Sequence, residues 1–113
     1  MAGRLQGKVA MVTGCGSVGP GWGNGKAMAV LFAREGAQVF GLDIDAGAAA
    51  ETRTIIEGEG GTARTRVADV GRAEDVAAAV SACVDAFGRI DILVNNVGIA
   101  RVVALRGAVD QTA

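Results

Sequence analysis

A glycine-rich segment near the N-terminus carries the clearest chemical signal in this sequence. Its letters are TGCGSVGPGWGNGK, beginning at Thr13, and it lies between an apolar run typical of a strand and a segment typical of a helix. Phosphate oxygens can approach a backbone that lacks Cβ atoms, and the amides and dipole of a helix N-terminus stabilise their charge. We therefore expect Gly14, Gly23 and Gly25 to surround a pyrophosphate group, with the helix starting near Asn24. The alternative is a glycine-rich turn that holds no ligand.

A carboxylate follows at the end of the next apolar run, where Asp43 comes 20 residues after Gly23. In an open parallel sheet, an acid at this position can accept hydrogen bonds from both ribose hydroxyls of adenosine and would repel a 2′-phosphate. No Lys or Arg follows Gly14 or Asp43 closely, which favours NAD over NADP. The alternative is that Asp43 caps the helix that follows, although Asp45 could fill that role instead.

Two further polar groups follow predicted strands, namely Asp69-Val70 and the run NNVG that begins at Asn95. The carboxyl ends of parallel strands meet at one rim of a sheet, where such sheets bind ligands. Taken alone, Asp69 fits a turn as well as an adenine contact, and Asn95 could satisfy backbone groups of a neighbouring loop. Their shared rim makes both of them candidate cofactor contacts.

The residue types needed for familiar catalytic arrangements are scarce. The sequence has no Tyr and no His, and it has only two serines and two lysines. General acid–base catalysis within this sequence would have to rely on Asp, Glu, Cys or Lys. We therefore assign no catalytic residue. Cys15 and Cys83 are too few for a disulfide framework, and a zinc site without His is not expected. A redox role for Cys15 is disfavoured, because no neighbouring base or second Cys supports it.

The elements that would position these residues alternate between strand and helix. The order βαβαβαβ with short connections predicts an α/β fold with a parallel sheet, right-handed crossovers and flanking helices. The third helix is the clearest, because an apolar stripe recurs at three- and four-residue steps. The predicted strands are Lys8 to Thr13, Gln38 to Asp43, Ala63 to Ala68 and Ile90 to Asn95, the predicted helices are Ala27 to Glu35, Ala46 to Glu57 and Glu74 to Phe87, and the stripe is Val76, Val80, Cys83, Val84 and Phe87.

Composition places the chain among small globular proteins. Its 113 residues suit one domain, half of them are hydrophobic, and the net charge is −1. That charge gives no attraction to nucleic acid or to an anionic membrane. No apolar run approaches a membrane-spanning length and the first residues do not form a signal peptide, so we expect a cytoplasmic protein.

From Leu5 to about Ile99 the chain resembles the N-terminal, cofactor-binding half of the short-chain dehydrogenase/reductase family. The family pattern TGxxxGxG corresponds to Thr13-Gly14 followed by Gly23-Asn24-Gly25, and the family's NNAG corresponds to the NNVG run. The resemblance implies a Rossmann-type sheet with strand order 3-2-1-4. The cofactor-binding residues that it implies are Gly14, Ser17, Gly23, Asn24, Gly25, Asp43, Asp69, Val70, Asn95 and Gly98.

The same resemblance implies an oxidoreductase that moves hydride between NAD and an alcohol or ketone, and a homo-oligomer. The family's catalytic Ser and Tyr-xxx-Lys would lie beyond Ala113, so we expect residues 1–113 to be the N-terminal dinucleotide-binding half of a single Rossmann-type domain, truncated after the fourth strand and inactive alone. One alternative is a non-catalytic dinucleotide-binding module, or a subunit that a partner chain completes. Another is a structural domain whose glycine-rich loop has lost its ligand.

Two features are unusual, namely the length of the glycine-rich loop and the position of the fourth strand at the edge of the predicted sheet. Eight residues, Cys15 to Trp22, separate Gly14 from Gly23, which is a longer loop than the family usually has. The motif therefore does not fix the contact of Ser17 with phosphate, and Trp22 either covers the pyrophosphate or packs the loop against the body, of which we favour packing. The fourth strand is apolar on both faces, as an interior strand is, yet the predicted order leaves it at an edge.

Overall fold

A computed structural model of the protein describes residues 3–16 and 23–95. Within these ranges strands and helices alternate as the sequence predicts. They are β1 (Val9–Thr13), α1 (Asn24–Arg34), β2 (Gln38–Asp43), α2 (Ala46–Gly58), β3 (Thr62–Val67), α3 (Ala73–Phe87) and β4 (Ile92–Val94).

The four strands form one parallel sheet in the order β3-β2-β1-β4, which confirms the predicted Rossmann-type fold. β1 pairs with β2 from Val9↔Gln38 to Thr13↔Leu42, and β2 pairs with β3 as far as Asp43↔Val67. Because all strands run in the same direction, their carboxyl ends share one rim, and the loops that follow them meet there.

Apolar side chains alternate between the two faces of the sheet and form two cores. Val12 and Val39 belong to the core that also contains residues of α1 and α2, whereas Met11 and Phe40 belong to the core that contains residues of α3. All five residues of β1 are buried, as expected for a central strand covered by helices on both faces. Phe40 also meets Phe87 of α3 edge to face, with ring centroids 6.3 Å apart.

α3 contacts the sheet through part of the predicted stripe, since Cys83 is buried in the core and Phe87 packs against it. Its buried residues are Ala79 and Cys83, whereas Val80 and Val84 remain 40% and 44% exposed. Ala79 and Cys83 share a core with Met11 and Phe40, and the two valines do not belong to it. The predicted stripe is therefore wrong at Val80 and Val84.

β4 is short and lies at one edge of the sheet in the part of the chain that the structure describes. It pairs with β1 from Ala10↔Ile92 to Val12↔Val94, and its central residue, Leu93, is exposed. An apolar edge of this kind favours pairing with further backbone.

Among the described helices, none is both long enough and apolar enough to cross a membrane. The same residues hold no group of three or more Cys, Asp or Glu side chains that could bind a metal ion.

Candidate functional site

The glycine-rich segment leaves β1 at the rim where the strands end. Gly14 adopts a φ of 61°, a left-handed conformation that favours glycine because other residues place Cβ against the backbone there. Just before it, the Thr13 hydroxyl donates a hydrogen bond to the Val94 carbonyl oxygen over 3.1 Å. The turn that begins the segment is therefore tied to the end of β4.

The next two residues are docked on β2 and α2 by three hydrogen bonds. The Cys15 amide donates to the Leu42 carbonyl oxygen over 3.0 Å, and the Gly16 amide donates to Oδ2 of Asp43 over 2.8 Å. The Thr52 hydroxyl, from α2, donates to the Cys15 carbonyl oxygen over 2.8 Å. Residues 14–16 therefore have a fixed backbone path along the rim.

Asp43 is the acidic residue at the end of β2, and the residue is only 7% exposed. Besides the bond from Gly16, it accepts a second hydrogen bond at Oδ1 from the Asp45 amide over 2.8 Å. Hydrogen bonds from two backbone amides hold the carboxylate in one orientation.

The cap of α2 is Asp45, which resolves one of the alternatives left by the sequence. Its side chain accepts a hydrogen bond from the Ala48 amide over 3.1 Å, the usual arrangement at a helix N-terminus. Asp43 lies two residues earlier and contacts the glycine-rich segment instead. The interpretation of Asp43 as the helix cap is therefore wrong.

The Cys15 thiol is buried and lies against Gly41 of β2. Burial disfavours the thiolate and the neighbouring Asp43 carboxylate adds repulsion, which together raise the pKa of Cys15 to about 12. The thiol therefore stays protonated at neutral pH and is unsuited to nucleophilic or redox chemistry in the folded state.

α1 begins where the glycine-rich segment ends. Gly23 occupies the cap position, which therefore offers no side chain to the first amides, and the first turn contains no acidic residue. Lys26, also in that turn, is buried and forms an ion pair with Glu51 of α2. A helix start with this composition suits an anionic ligand, because its dipole is not offset by an acid in its own first turn.

Asp69 and Val70 follow β3 and lead into α3. Oδ1 of Asp69 accepts a hydrogen bond from the Gly71 amide over 2.9 Å, and the Asp69 amide donates to Oδ2 of Asp75 over 2.9 Å. Val70 packs against the core on the α3 face. The turn interpretation of Asp69 thus has direct geometric support, and a contact with adenine remains a prediction.

The remaining predicted residues lie at the far end of the rim or outside the described ranges. Asn95 directly follows β4 and is exposed. Ser17, Trp22 and Gly98 lie outside the described residues. Gly14, Asp43, Asp69 and Asn95 therefore follow or end the four strands on one rim, and hydrogen bonding joins Asp43 directly to the glycine-rich segment.

Sequence reasoning did not identify Thr52 as part of this arrangement. It lies in the middle of an Ala-rich helix, 37 residues from Cys15, and no local pattern relates the two. The only available signal was its polar side chain on the helix face that also carries Ala49 and Ile56, both of which are buried.

Comparison with known proteins gives a consistent result along nearly the whole sequence. A family model described as short chain dehydrogenase matches residues 8–112. D-threitol dehydrogenase of Mycolicibacterium smegmatis is 43% identical over 98 residues, which are 87% of this chain and 36% of the relative. A crystal structure of a short-chain dehydrogenase/reductase from Burkholderia xenovorans superposes with a TM-score of 0.82 at 50% identity, covering 86% of this chain and 38% of that protein.

Two other similar structures were determined with dinucleotides. A Burkholderia phymatum protein in complex with NAD has a TM-score of 0.78 at 34% identity, over 85% of this chain and 32% of its own. A metagenomic short-chain oxidoreductase in complex with NADP has a TM-score of 0.76 at 33% identity, over 84% of this chain and 41% of its own. The chain thus spans well under half the length of the proteins that it matches.

Proposed function

The chain belongs to the short-chain dehydrogenase family, and from this premise we propose that it forms the NAD-binding part of an oxidoreductase that transfers hydride between NAD and an alcohol or ketone. The family includes relatives solved with NAD and with NADP, so the choice between the two dinucleotides has to be argued from this chain's own residues.

The observation that carries the proposal is the fixed carboxylate of Asp43 at the end of β2. Each of its oxygens accepts one backbone amide, from Gly16 and from Asp45, and a carboxylate oxygen can accept a further hydrogen bond. The 2′- and 3′-hydroxyls of an adenosine ribose are suitable donors for those positions.

The same anchoring supports NAD over NADP. A 2′-phosphate would bring its negative charge against the Asp43 carboxylate, and the carboxylate could move away only by breaking its bonds to Gly16 and Asp45. No Lys or Arg occurs in positions 44–52 to offset that repulsion locally.

The residues around Asp43 also fit the rest of the dinucleotide. The glycine cap of α1, without an acid in the first turn, suits the pyrophosphate, and we assign that group to Gly14, Ser17, Gly23, Asn24 and Gly25. We assign the adenine side to Asp69 and Val70, and further cofactor contacts to Asn95 and Gly98.

When bound, NAD would supply the hydride acceptor or donor at its nicotinamide ring. The role proposed for this chain is to bind and orient the dinucleotide. No residue is assigned to proton transfer, because the sequence contains no Tyr and no His. A second candidate function is that this chain binds NAD without turnover or is completed by a partner chain.

A titration of the chain with NAD and NADP by calorimetry tests the cofactor assignment. We expect NAD to bind at least about tenfold more tightly than NADP, and Asp43→Ala to weaken NAD by about tenfold or more while removing the preference. Asp45→Asn is the matched control, because it removes a neighbouring charge but keeps a good cap, and it should leave the preference unchanged. Equal affinity of the parent chain for both dinucleotides would contradict the assignment to NAD.

Residues 1–113 are expected to be inactive alone, so the two candidate functions are separated by supplying the rest of a short-chain dehydrogenase fold as a second polypeptide, together with NAD and a panel of alcohols. Formation of NADH in that mixture supports the dehydrogenase function, whereas tight NAD binding without NADH supports the binding module. Absence of NAD binding would contradict both of them and favour a structural role.

A further inference from the structure

The peptide unit between Cys15 and Gly16 is held at both ends by side chains from other elements. Its carbonyl oxygen accepts a hydrogen bond from the Thr52 hydroxyl, and its amide donates one to the Asp43 carboxylate, each over 2.8 Å. Because the carbonyl and amide of one peptide unit lie in a single plane, the two bonds together fix the rotation of that plane. We infer that Thr52 is a positioning residue of the NAD site, which orients the first part of the glycine-rich loop through the Cys15 carbonyl. The inference rests on the proposed function.

The bond from Thr52 to the loop is not the ordinary behaviour of a threonine within a helix. Such a hydroxyl usually donates to the carbonyl four residues earlier in its own helix. Thr54 of the same helix does so, with 2.9 Å to the Ala50 carbonyl oxygen, and it is exposed. Thr52 is 2% exposed, and its hydroxyl lies closer to the Cys15 carbonyl oxygen, at 2.8 Å, than to that of Ala48, at 3.3 Å. The loop is therefore its shorter partner.

α2 also supports the loop by close packing one turn before Thr52. A Cβ atom added to Gly16 would lie 2.5 Å from Cβ of Ala48 and 2.7 Å from its carbonyl carbon. The loop backbone thus rests directly on the helix at Ala48, and Thr52 provides the polar contact on the same helix face. The Ala48 contact limits how closely the Cys15–Gly16 peptide approaches α2, and the Thr52 hydrogen bond fixes the rotation of that peptide.

The two hydrogen bonds on the Cys15–Gly16 peptide determine which part of the dinucleotide depends on Thr52. The Gly16 amide is directed to Asp43, so it helps to hold the ribose-side carboxylate and is not directed at a phosphate. Without the Thr52 hydroxyl the Cys15–Gly16 peptide loses one of the two bonds that fix its rotation, so the turn from Gly14 to Gly16 is no longer held in one orientation. The loss should fall mainly on the pyrophosphate, because Asp43 keeps its second bond, from the Asp45 amide.

The test compares NAD with adenosine, which lacks the pyrophosphate, on the full chain and its variants by calorimetry. Thr52→Val removes the hydroxyl at nearly constant size and should weaken NAD by about fivefold to tenfold, but adenosine by less than about twofold. Thr52→Ser keeps the donor and should restore NAD affinity to within about twofold of the parent. Thr54→Val, the matched control in the same helix, should leave both affinities unchanged.

Several results would overturn the inference and leave the NAD site intact. They are an unchanged NAD affinity in Thr52→Val, an equal loss for NAD and adenosine, and an equal loss in Thr54→Val. If Thr52→Val does not fold, Thr52→Ala removes the same hydroxyl without placing a methyl group against the Cys15 carbonyl, and the same ratio of losses is expected. Failure of the parent chain to bind NAD would instead overturn the proposed function and the inference with it.

Discussion

Gly41 of β2 lies against the thiol of Cys15, so close that a Cβ atom on Gly41 would come within 2.6 Å of Sγ and 3.0 Å of Cβ. The strand therefore accommodates the loop side chain only because position 41 has none. Both residues are buried, so the contact cannot be relieved by moving either of them into solvent. This contact, like the Asp43 and Thr52 hydrogen bonds, fixes where the glycine-rich loop begins.

Gly41→Ala should destabilise the fold by about 1–3 kcal/mol, because the added methyl group overpacks the site against Cys15. Urea unfolding measures the change. Adding Cys15→Ala removes Sγ, so the two substitutions together should cost less than the sum of their separate effects. Gly58→Ala is the control, since nothing lies within 4 Å of its added Cβ, and it should not destabilise. Strict additivity at positions 41 and 15 would contradict the proposed contact.

The buried thiols should be almost inert in the folded protein. With the pKa of Cys15 raised to about 12, little thiolate is present at pH 8, and alkylation should be slower than in urea by about 100-fold or more. Mass spectrometry of peptides from iodoacetamide-treated protein distinguishes Cys15 from Cys83, whose pKa is also raised by burial. Since the pKa of Cys15 is raised on folding, the associated stability is present below about pH 9 and is lost as the pH rises toward 12. Fast native labelling of Cys15 would contradict its burial.

The sequence predicts the rim well because local signals coincide there. The apolar run of β1, the glycines after it and the acid that ends β2 each have a local cause, and the family resemblance supplies the strand order. The choice between Asp43 and Asp45 as the helix cap could not be made in advance, because both carboxylates precede α2 and only the path of the loop decides between them.

Contacts between segments that are distant in sequence could not be predicted from local sequence patterns. The buried face of α3 is one example, since Val80 and Val84 share the spacing of Cys83 and Phe87, yet they stay exposed while Ala79 is buried. The Thr52 hydrogen bond is another, because it depends on how α2 lies under a loop 37 residues away. Periodicity identifies the element, and packing decides which of its faces is buried.

The ion pair between α1 and α2 should contribute measurably to stability. Lys26 is 3% exposed in its side chain and pairs with Glu51, which is 67% exposed. Glu51→Gln removes the compensating charge from a buried ammonium and should destabilise the fold by about 1–3 kcal/mol in urea unfolding. Glu57→Gln is the matched control in the same helix, because it removes a surface pair with Arg53 and should cost less than about 0.5 kcal/mol. Equal effects of the two substitutions would show that burial of Lys26 does not matter.

Asp91 should make stability depend on acid pH through its link between β4 and β1. Its carboxylate accepts the Val9 amide over 2.9 Å and the Arg89 guanidinium, and these bonds, the backbone one first, hold the pKa of Asp91 below its ordinary value. The unfolded chain therefore takes up the proton at a higher pH than the folded chain. The contribution is present above about pH 4, the unfolded value, and is lost as the pH falls through the folded value.

Urea midpoints measured between pH 7 and pH 3 (about the range in which a carboxyl group of this kind titrates) test this link. The urea midpoint of the parent should decrease as the pH is lowered below about 4. Asp91→Asn has no proton to gain at this position, so its urea midpoint should change less over the same pH range. Arg89→Gln removes both guanidinium donors and keeps the Val9 bond, so its profile should lie between the other two. Asp91→Asn could instead lose stability as steeply as the parent between about pH 7 and pH 3. In that case the acid dependence arises elsewhere, and the ionised Asp91 carboxylate does not stabilise the pairing of β4 with β1.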